Sequence, residues 1–251
     1  LFNRRPFSSW FDVTSLRGYL HALEVEQARA DYNALSQFRF TGPSNNGIIY
    51  WSFNKGGPLF QFGCVDYDGR PMMSYYVVQR LYSGISIFPY RDLCDVRVML
   101  SSHLPSSANV RLDAFHLDEE GTVLQEFHKE TVCRSGELLT ALTLKQLYSK
   151  VWDRTKETVF VRAYADGRIV SEDLLLFCPY GELELVKKPM QASVKKTGQG
   201  QWELTVHSEG MVQMLEIECD RKIVCEDNYF PMMAGQEKLV KITARESRYP
   251  A

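Results

Sequence analysis

The spacing of hydrophobic positions changes along the chain and divides it into a helical part and a longer part with alternating residues. From residue 14 to about residue 40, apolar residues recur every three to four positions, which predicts a long helix. Thr14 or Ser15 offers a side-chain oxygen that can cap the first turn of this helix. A second, shorter helix is predicted over residues 72–81.

Between these two helices, the apolar run at residues 47–54 predicts one strand that is buried on both faces. Its residues are mostly β-branched or aromatic, and Gly56, Gly57 and Pro58 end it because Gly and Pro interrupt strands. A buried strand needs neighbouring strands for its amide and carbonyl groups, and no other strand is predicted within residues 1–85. We therefore interpret this part of the chain as a slice of a parallel α/β sheet.

Trp51 and Asn54 stand at the carboxyl end of the predicted strand. In α/β sheets, side chains at this end face the ligand crevice, which makes these two residues the candidate substrate-binding residues. The simpler alternative is that Trp51 is ordinary core and that Asn54 only forms the following turn.

Aromatic residues are also frequent within residues 1–13, where we expect a loop that packs against a larger part of the protein.

From residue 95 onward the apolar period is two, which predicts antiparallel β-structure. Short strands at regular spacing indicate a sandwich up to about residue 183, with a tight hairpin at Asp166-Gly167. A second sandwich is predicted from residue 184, and we expect it to dock on its neighbour because its core is small. The predicted strands lie at residues 96–100, 110–114, 123–128, 138–147, 158–165, 169–177, 190–196, 202–207, 211–219 and 238–243.

The chain has 251 residues, of which 45% are hydrophobic and 24% charged, an ordinary globular composition. The formal net charge is -2 and the basic residues are dispersed, so nothing points to a nucleic-acid partner. No apolar run is long enough for a membrane span, and no signal peptide is recognisable. The sequence opens at Leu1 without Met, and we expect a fragment or a processed product.

The six cysteines are scattered and form neither a CxxC pair nor zinc-ligand spacing with histidine. We expect most of them to be buried free thiols, with one disulfide as the less favoured alternative. Cysteines of this kind slightly favour a reducing, cytoplasmic compartment.

Residues that suit catalysis are scarce. Cleavage of a glycosidic bond needs two carboxyl groups on either side of it, and Asp66 and Asp68 are the acids nearest to the strand end. Both fall in an Asp-Gly turn that forms without any catalytic role, so we interpret them as turn residues. For Asp227 we expect one of two roles, a turn cap or a cation ligand, and the turn cap is the favoured interpretation. The sequence therefore predicts no catalytic residue in this chain, no metal site and no cofactor.

Two blocks of sequence resemble glycoside hydrolases of family 2, and the β-mannosidase branch is the most similar. Residues 47–54, Pro58, residues 65–71 and residues 74–76 look like the last strand and helix of that family's catalytic barrel, and residues 27–39 look like its penultimate helix. Residues 226–236, which contain Asp-Asn-Tyr-Phe, resemble the family's terminal immunoglobulin-like domain. The usual Asn-Asp and Trp-Pro elements after the strand appear here as residues 54–58, Asn-Lys-Gly-Gly-Pro, which leaves β-glucosaminidase and β-galactosidase relatives open.

The resemblance implies a fold with three parts. Residues 1–88 are expected to be the C-terminal part of a (β/α)8 TIM barrel, residues 89–183 an immunoglobulin-like β-sandwich, and residues 184–251 a smaller one. It also implies a retaining exo-β-glycosidase that acts on a terminal β-linked mannoside or a related sugar. Both catalytic glutamates would lie in the missing N-terminal part of the same protein, so this chain would be inactive alone. Trp51 would form the floor under the sugar, and Asn54 would lie near its rim.

A hypothesis from another class also fits the alternating part of the sequence. The two sandwiches would then form an independent carbohydrate-binding or interaction module, with Trp152 as the aromatic residue to test. Binding modules usually expose a row of aromatics, whereas here Trp152 and Trp202 fall one in each sandwich, and Trp202 alternates like a core residue.

Overall fold

A computed structural model describes residues 13–40, 47–58, 61–220 and 222–244. The aromatic loop expected within residues 1–13 lies outside these residues, except for its last position. Helix α1 (Leu16–Phe40) confirms the predicted long helix, and Ser15 caps it by accepting a hydrogen bond from the amide of Gly18 at 3.0 Å. Helix α2 (Met73–Leu81) confirms the shorter one. None of the described helices combines the length and the apolar composition that crossing a bilayer requires.

The first sandwich consists of two antiparallel sheets. One sheet has the order β1-β2-β5, with β1 at Ile85–Asp92, β2 at Asp95–Ser102 and β5 at Leu138–Leu144. The other has the order β4-β3-β6-β7, with β3 at Ala108–Leu117, β4 at Val123–Cys133, β6 at Thr158–Ala165 and β7 at Arg168–Leu176. A short helix, α3 (Leu147–Lys150), joins β5 to β6. The inward positions of both sheets form one core, which includes Val98, Leu112 and Val161.

No strand was predicted from the sequence at β1, where the apolar pattern changes near Pro89, and Pro removes a ladder hydrogen bond. The structure places β1 at the edge of its sheet, where it pairs only with β2 and the lost donor is tolerated. In contrast, the predicted Asp166-Gly167 hairpin is confirmed, with φ values of 51° and 73° that suit a two-residue turn between β6 and β7.

The second sandwich is smaller. Its main sheet has the order β11-β13-β9-β8, with β8 at Met190–Gly198, β9 at Gln201–Ser208, β11 at Ile223–Cys225 and β13 at Glu237–Ala244. Two short strands, β10 (Val212–Leu215) and β12 (Phe230–Met232), pair opposite it. As predicted, Leu204 and Val206 point into the core.

The strand predicted at residues 211–219 was too long, since β10 ends at Leu215. The side chain of Asn228 explains this difference. Its Oδ1 accepts from the amide of Ile217 at 2.7 Å, and its Nδ2 donates to the carbonyl of Ile217 at 3.0 Å. A side-chain amide therefore takes the place that a neighbouring strand would fill.

Helices α1 and α2 pack onto the second sandwich in one shared core. Val25 and Ala28 of α1 and Tyr76 of α2 belong to the same buried cluster as Met232 and Val240. A separate cluster connects the two sandwiches through Leu117, Phe160, Met211 and Met233. The expectation that the small sandwich docks on its neighbour agrees with these contacts.

The predicted burial of residues 47–53 was wrong for the chain as it stands. Residues 47–50 have no regular secondary structure, and Ile49 and Trp51 are 92% and 89% exposed. An extended segment becomes a strand only when a neighbour pairs with its backbone, and the described residues offer only isolated bridges nearby, which join Val65 to Asn54 and to Pro71. The segment is neither helical nor part of a complete sheet among the residues that the structure describes.

Candidate functional site

Exposed and partly buried positions alternate over residues 47–53, although no strand within the described ranges pairs with this segment. Ile49, Trp51 and Phe53 point outward, whereas Ile48 and Tyr50 face the protein. Ile48 packs against the buried cluster of α1, α2 and β1 that includes Phe88. One face of the segment is therefore fixed by α1, α2 and β1, and the other face is an apolar surface that the described residues leave open. Phe62, which is 76% exposed, extends this surface. We call the surface formed by Ile49, Trp51, Phe53 and Phe62 the open face.

Tyr50 anchors the segment to α1. Its hydroxyl donates to Asp31 Oδ2 at 2.8 Å and accepts from Gln27 Nε2 at 3.3 Å, and Gln27 Nε2 also donates to the carbonyl of Gly63 at 3.0 Å. Burial, together with hydrogen bonds to Cys64 and Asp31, raises the pKa of Tyr50 far above its usual range. Burial also raises the pKa of the Cys64 thiol. Both groups therefore stay protonated near neutral pH and act as fixed hydrogen-bonding groups.

The backbone that follows Trp51 is held by the loop before α2. The carbonyl of Phe53 accepts from the amides of Cys64 at 2.9 Å and Val65 at 3.0 Å, and the amide of Lys55 donates to the carbonyl of Val65 at 2.9 Å. The peptide bond between Trp51 and Ser52 is cis. These contacts fix the position of the Trp51 backbone while its indole stays exposed.

Trp51 and Asn54 lie three residues apart at the end of this segment, which we call the rim, and both are exposed. The Asn54 amide makes one long contact, from Nδ2 to the carbonyl of Lys55 at 3.4 Å. Neither side chain has the surroundings of a core residue, and both remain candidate substrate-binding residues.

The two acids near the rim have structural partners. Asp66 accepts from the amide of Arg70 at 2.7 Å and from Arg70 Nε at 3.0 Å, so it closes the Asp-Gly turn. Asp68 lies 3.4 Å from Lys222 Nζ in the second sandwich. These contacts agree with the interpretation of both acids as turn residues. No group of His, Cys, Asp or Glu within the described ranges has the arrangement of a metal site.

The Asp-Asn-Tyr-Phe block, residues 227–230, joins α2 to the second sandwich. Arg80 Nη1 donates to Asp227 Oδ1 at 2.6 Å and to the carbonyl of Asn228 at 3.0 Å, and Nη2 donates to the carbonyl of Tyr229 at 3.0 Å. Lys238 completes the arrangement, with Nζ 2.9 Å from Asp227 Oδ2 and 3.8 Å from the centre of the Phe230 ring. Asp227 therefore caps the amide of Asn228, as favoured from the sequence, and also binds cations of the protein itself.

Arg80 was missed as a functional residue at the sequence level. The only available signal was its place on the apolar side of the short helix, where a guanidinium needs an acidic partner. The Asp-Asn-Tyr-Phe block was found from the sequence, but its partner on α2, 147 positions away from Asp227, was not.

Three of the six cysteines, Cys64, Cys133 and Cys225, are buried free thiols. Burial raises the pKa of Cys225 to about 11, because an apolar environment disfavours the thiolate. The buried cysteines therefore behave as core residues.

This arrangement of helices, rim and sandwiches resembles the C-terminal part of glycoside hydrolases of family 2, in the group of β-mannosidases and exo-β-glucosaminidases. No family model matches the chain. β-Mannosidase B of Aspergillus niger is 21% identical over 249 residues, which cover 92% of this chain and 30% of that protein. β-Mannosidase B of Aspergillus terreus is also 21% identical, over 95% of this chain and 30% of its own length.

Solved structures share the fold. The β-D-mannosidase of Dictyoglomus thermophilum superposes with a TM-score of 0.85 at 16% identity, over 96% of this chain and 30% of that one. The exo-chitosanase CsxA of Amycolatopsis orientalis gives a TM-score of 0.74 at 15% identity, over 92% of this chain and 32% of its own. The chain thus spans about 30% of the length of the curated relatives that it matches.

Proposed function

We propose that the chain is the C-terminal part of a retaining exo-β-glycosidase that removes terminal β-linked mannose or a related sugar. In this proposal, residues 1–88 complete a (β/α)8 barrel, and residues 89–183 and 184–251 are immunoglobulin-like sandwiches that support it. The N-terminal part of the same protein supplies both catalytic glutamates, so the chain alone does not turn over substrate. The names of the relatives, β-mannosidase and exo-β-glucosaminidase, support a carbohydrate substrate.

The observation that carries the proposal is the open face. Large apolar side chains on one side of an extended segment, with the other side fixed by Tyr50 and Ile48, are what a barrel strand exposes when its neighbours are absent. A contiguous patch of exposed aromatic and aliphatic residues also marks an interaction site. The partner is accordingly the remainder of the barrel, which pairs with the backbone of residues 47–53 and covers Ile49 and Phe53.

Trp51 has a separate role in this proposal. A barrel strand ends at the substrate crevice, and the indole at that end offers an apolar ring to the C–H groups of a sugar. Asn54, on the same rim, has an amide with unused hydrogen-bonding capacity for a sugar hydroxyl.

The test compares the chain with a longer protein that also carries the upstream sequence. Both are assayed on aryl β-mannoside, aryl β-glucosaminide and aryl β-galactoside. We expect turnover of the mannoside by the longer protein only. In that protein, Trp51→Ala is expected to reduce kcat/KM at least 100-fold, and Trp51→Phe, which keeps an aromatic ring, far less. Absence of turnover from both proteins on every substrate would refute the proposal.

A second function is favoured by one specific observation, the exposure of Trp152. Its side chain is 94% exposed, yet its backbone is fixed, because the amides of Trp152 and Asp153 donate to Glu157 Oε1 at 2.7 and 3.0 Å. A fixed, exposed indole on a sandwich suits stacking against a sugar ring in a binding module. Glycan-array binding that Trp152→Ala abolishes, and that Trp51→Ala leaves intact, would favour this function over the first.

A further inference from the structure

A cavity of about 350 Å³ lies where α1, α2 and the two sandwiches meet, away from the rim that carries Trp51. Most of its wall is apolar and comes from α1, α2, β1 and β7, with Ala28, Met73, Val77, Ile87 and Leu174 as examples. Its volume lies within the range of small-molecule sites, which are apolar clefts with a few polar groups that fix orientation.

The cations on the cavity wall are already neutralised by the protein. Arg29 on α1 lies 2.7 Å from Glu26, and Arg80 on α2 lies 2.6 Å from Asp227. Both guanidiniums therefore have their own carboxylates and leave no positive charge for a ligand to balance.

The acids on the wall are not balanced in the same way. Glu172 has Arg162 at 2.7 Å, whereas Asp173 has no cation within 4.0 Å among the residues that the structure describes. Asp173 accepts hydrogen bonds from Tyr32 Oη at 2.5 Å and from the amide of Leu174 at 2.8 Å. Two carboxylate oxygens have room for about four hydrogen bonds, so acceptor capacity remains. The unbalanced charge of the cavity is therefore one carboxylate.

We propose that this cavity binds a small apolar molecule that carries one protonated amine, with the ammonium group on Asp173 and the apolar body between α1, α2 and β7. The site is distinct from the proposed sugar site and does not depend on it. A bound molecule contacts both helices and the first sandwich, so it stabilises the junction between them by mass action.

The protonation of Asp173 gives the proposal a second test. Burial raises the pKa of Asp173 to about 6. The hydrogen bonds from Tyr32 and Leu174 and the charge of Arg80 on α2 lower this pKa and offset part of the effect of burial. The other titratable groups that line the cavity are Arg29, Glu172, Cys178, Tyr180 and Tyr229. The amine stays protonated across this range, so its affinity should rise as the pH increases through about 6.

The experiment uses benzylamine as the probe and benzyl alcohol as the matched neutral compound, with binding followed by protein-observed NMR. We expect saturable binding of benzylamine at pH 7.5, binding of benzyl alcohol at least tenfold weaker, and an affinity for benzylamine at least tenfold lower at pH 5. Asp173→Asn keeps an acceptor for Tyr32 and should reduce benzylamine binding at least tenfold. Asp68→Asn, which removes an exposed carboxylate elsewhere, should not.

Three outcomes would overturn the proposal. They are absence of saturable binding, equal binding of the amine and the alcohol, and an affinity that does not change between pH 5 and pH 7.5. The pH series needs only the unaltered chain, so it decides the question even if Asp173→Asn does not fold.

Discussion

The ion pair between Arg80 and Asp227 should couple α2 to the second sandwich energetically. The Arg80 and Asp227 side chains are 30% and 24% exposed, and their atoms approach to 2.6 Å. Exposed ion pairs contribute about 0 to 1 kcal/mol, whereas loss of one partner from a buried pair costs about 3 to 5 kcal/mol. For a partly buried pair we expect an intermediate cost of about 2 kcal/mol for Asp227→Ala. Lys238, which also binds Asp227, would be left with Glu172 at 3.7 Å as its remaining acid.

The assay is a double-mutant cycle in urea. Free energies of unfolding are measured for the unaltered chain, Arg80→Ala, Asp227→Ala and the double variant, and we expect a coupling energy of about 1 to 2 kcal/mol. Arg17 and Glu218 provide the matched control, because this pair also joins a helix to the second sandwich at 2.5 Å but is 80% and 65% exposed. Its coupling should be at most about 0.5 kcal/mol. Equal couplings for the two pairs would refute the argument that burial gives the Arg80 contact its strength.

Three further predictions follow from single side chains. Asp173→Asn should raise the free energy of unfolding at pH 8 by about 2 to 3 kcal/mol, because the folded-state pKa of about 6 lies above the reference value of 3.8. Ionisation of Asp173 thus opposes folding above pH 6, and the gain should disappear in urea titrations as the pH falls towards 4. Asn228→Ala should cost about 2 to 3 kcal/mol in the same assay, because both backbone groups of Ile217 lose their partner. Glu157→Ala should accelerate amide exchange at Trp152 at least tenfold, since its carboxylate holds that loop, and unchanged exchange would contradict this role.

Most of the regular elements could be predicted from local patterns. The bounds of α1 and of the β6–β7 hairpin follow from a cap at Ser15 and a turn at Asp166-Gly167, which act within a few residues. Strand β1 could not be predicted, because Pro89 disfavours a strand unless the strand lies at an edge, and edge position depends on the whole sheet. Local signals therefore predict elements well and their places in a sheet poorly.

The same limit applies to the candidate site. Residues 227–230 were identified by their sequence. Their role depends on a contact that local sequence does not show, since Asp227 binds Arg80 on α2, 147 positions away. Tyr229 has φ of 54°, an uncommon conformation for a bulky residue. Asn228 Oδ1 accepts from the Tyr229 amide at 2.9 Å, and Arg80 donates to the Tyr229 carbonyl, so one local and one long-range contact hold that conformation.

The segment at residues 47–53 connects the sequence argument to the structure. Its composition predicts burial on both faces, and the described residues cover only the face that carries Ile48 and Tyr50. Burial of apolar surface contributes about 25 cal/mol per Å², so the exposed Ile49 and Phe53 side chains represent a few kcal/mol that the described residues do not recover. In the proposed function, the remainder of the barrel covers these side chains. Under that proposal, Ile49→Asp should leave the folding of this chain nearly unchanged and should prevent its assembly with the proposed N-terminal part supplied in trans.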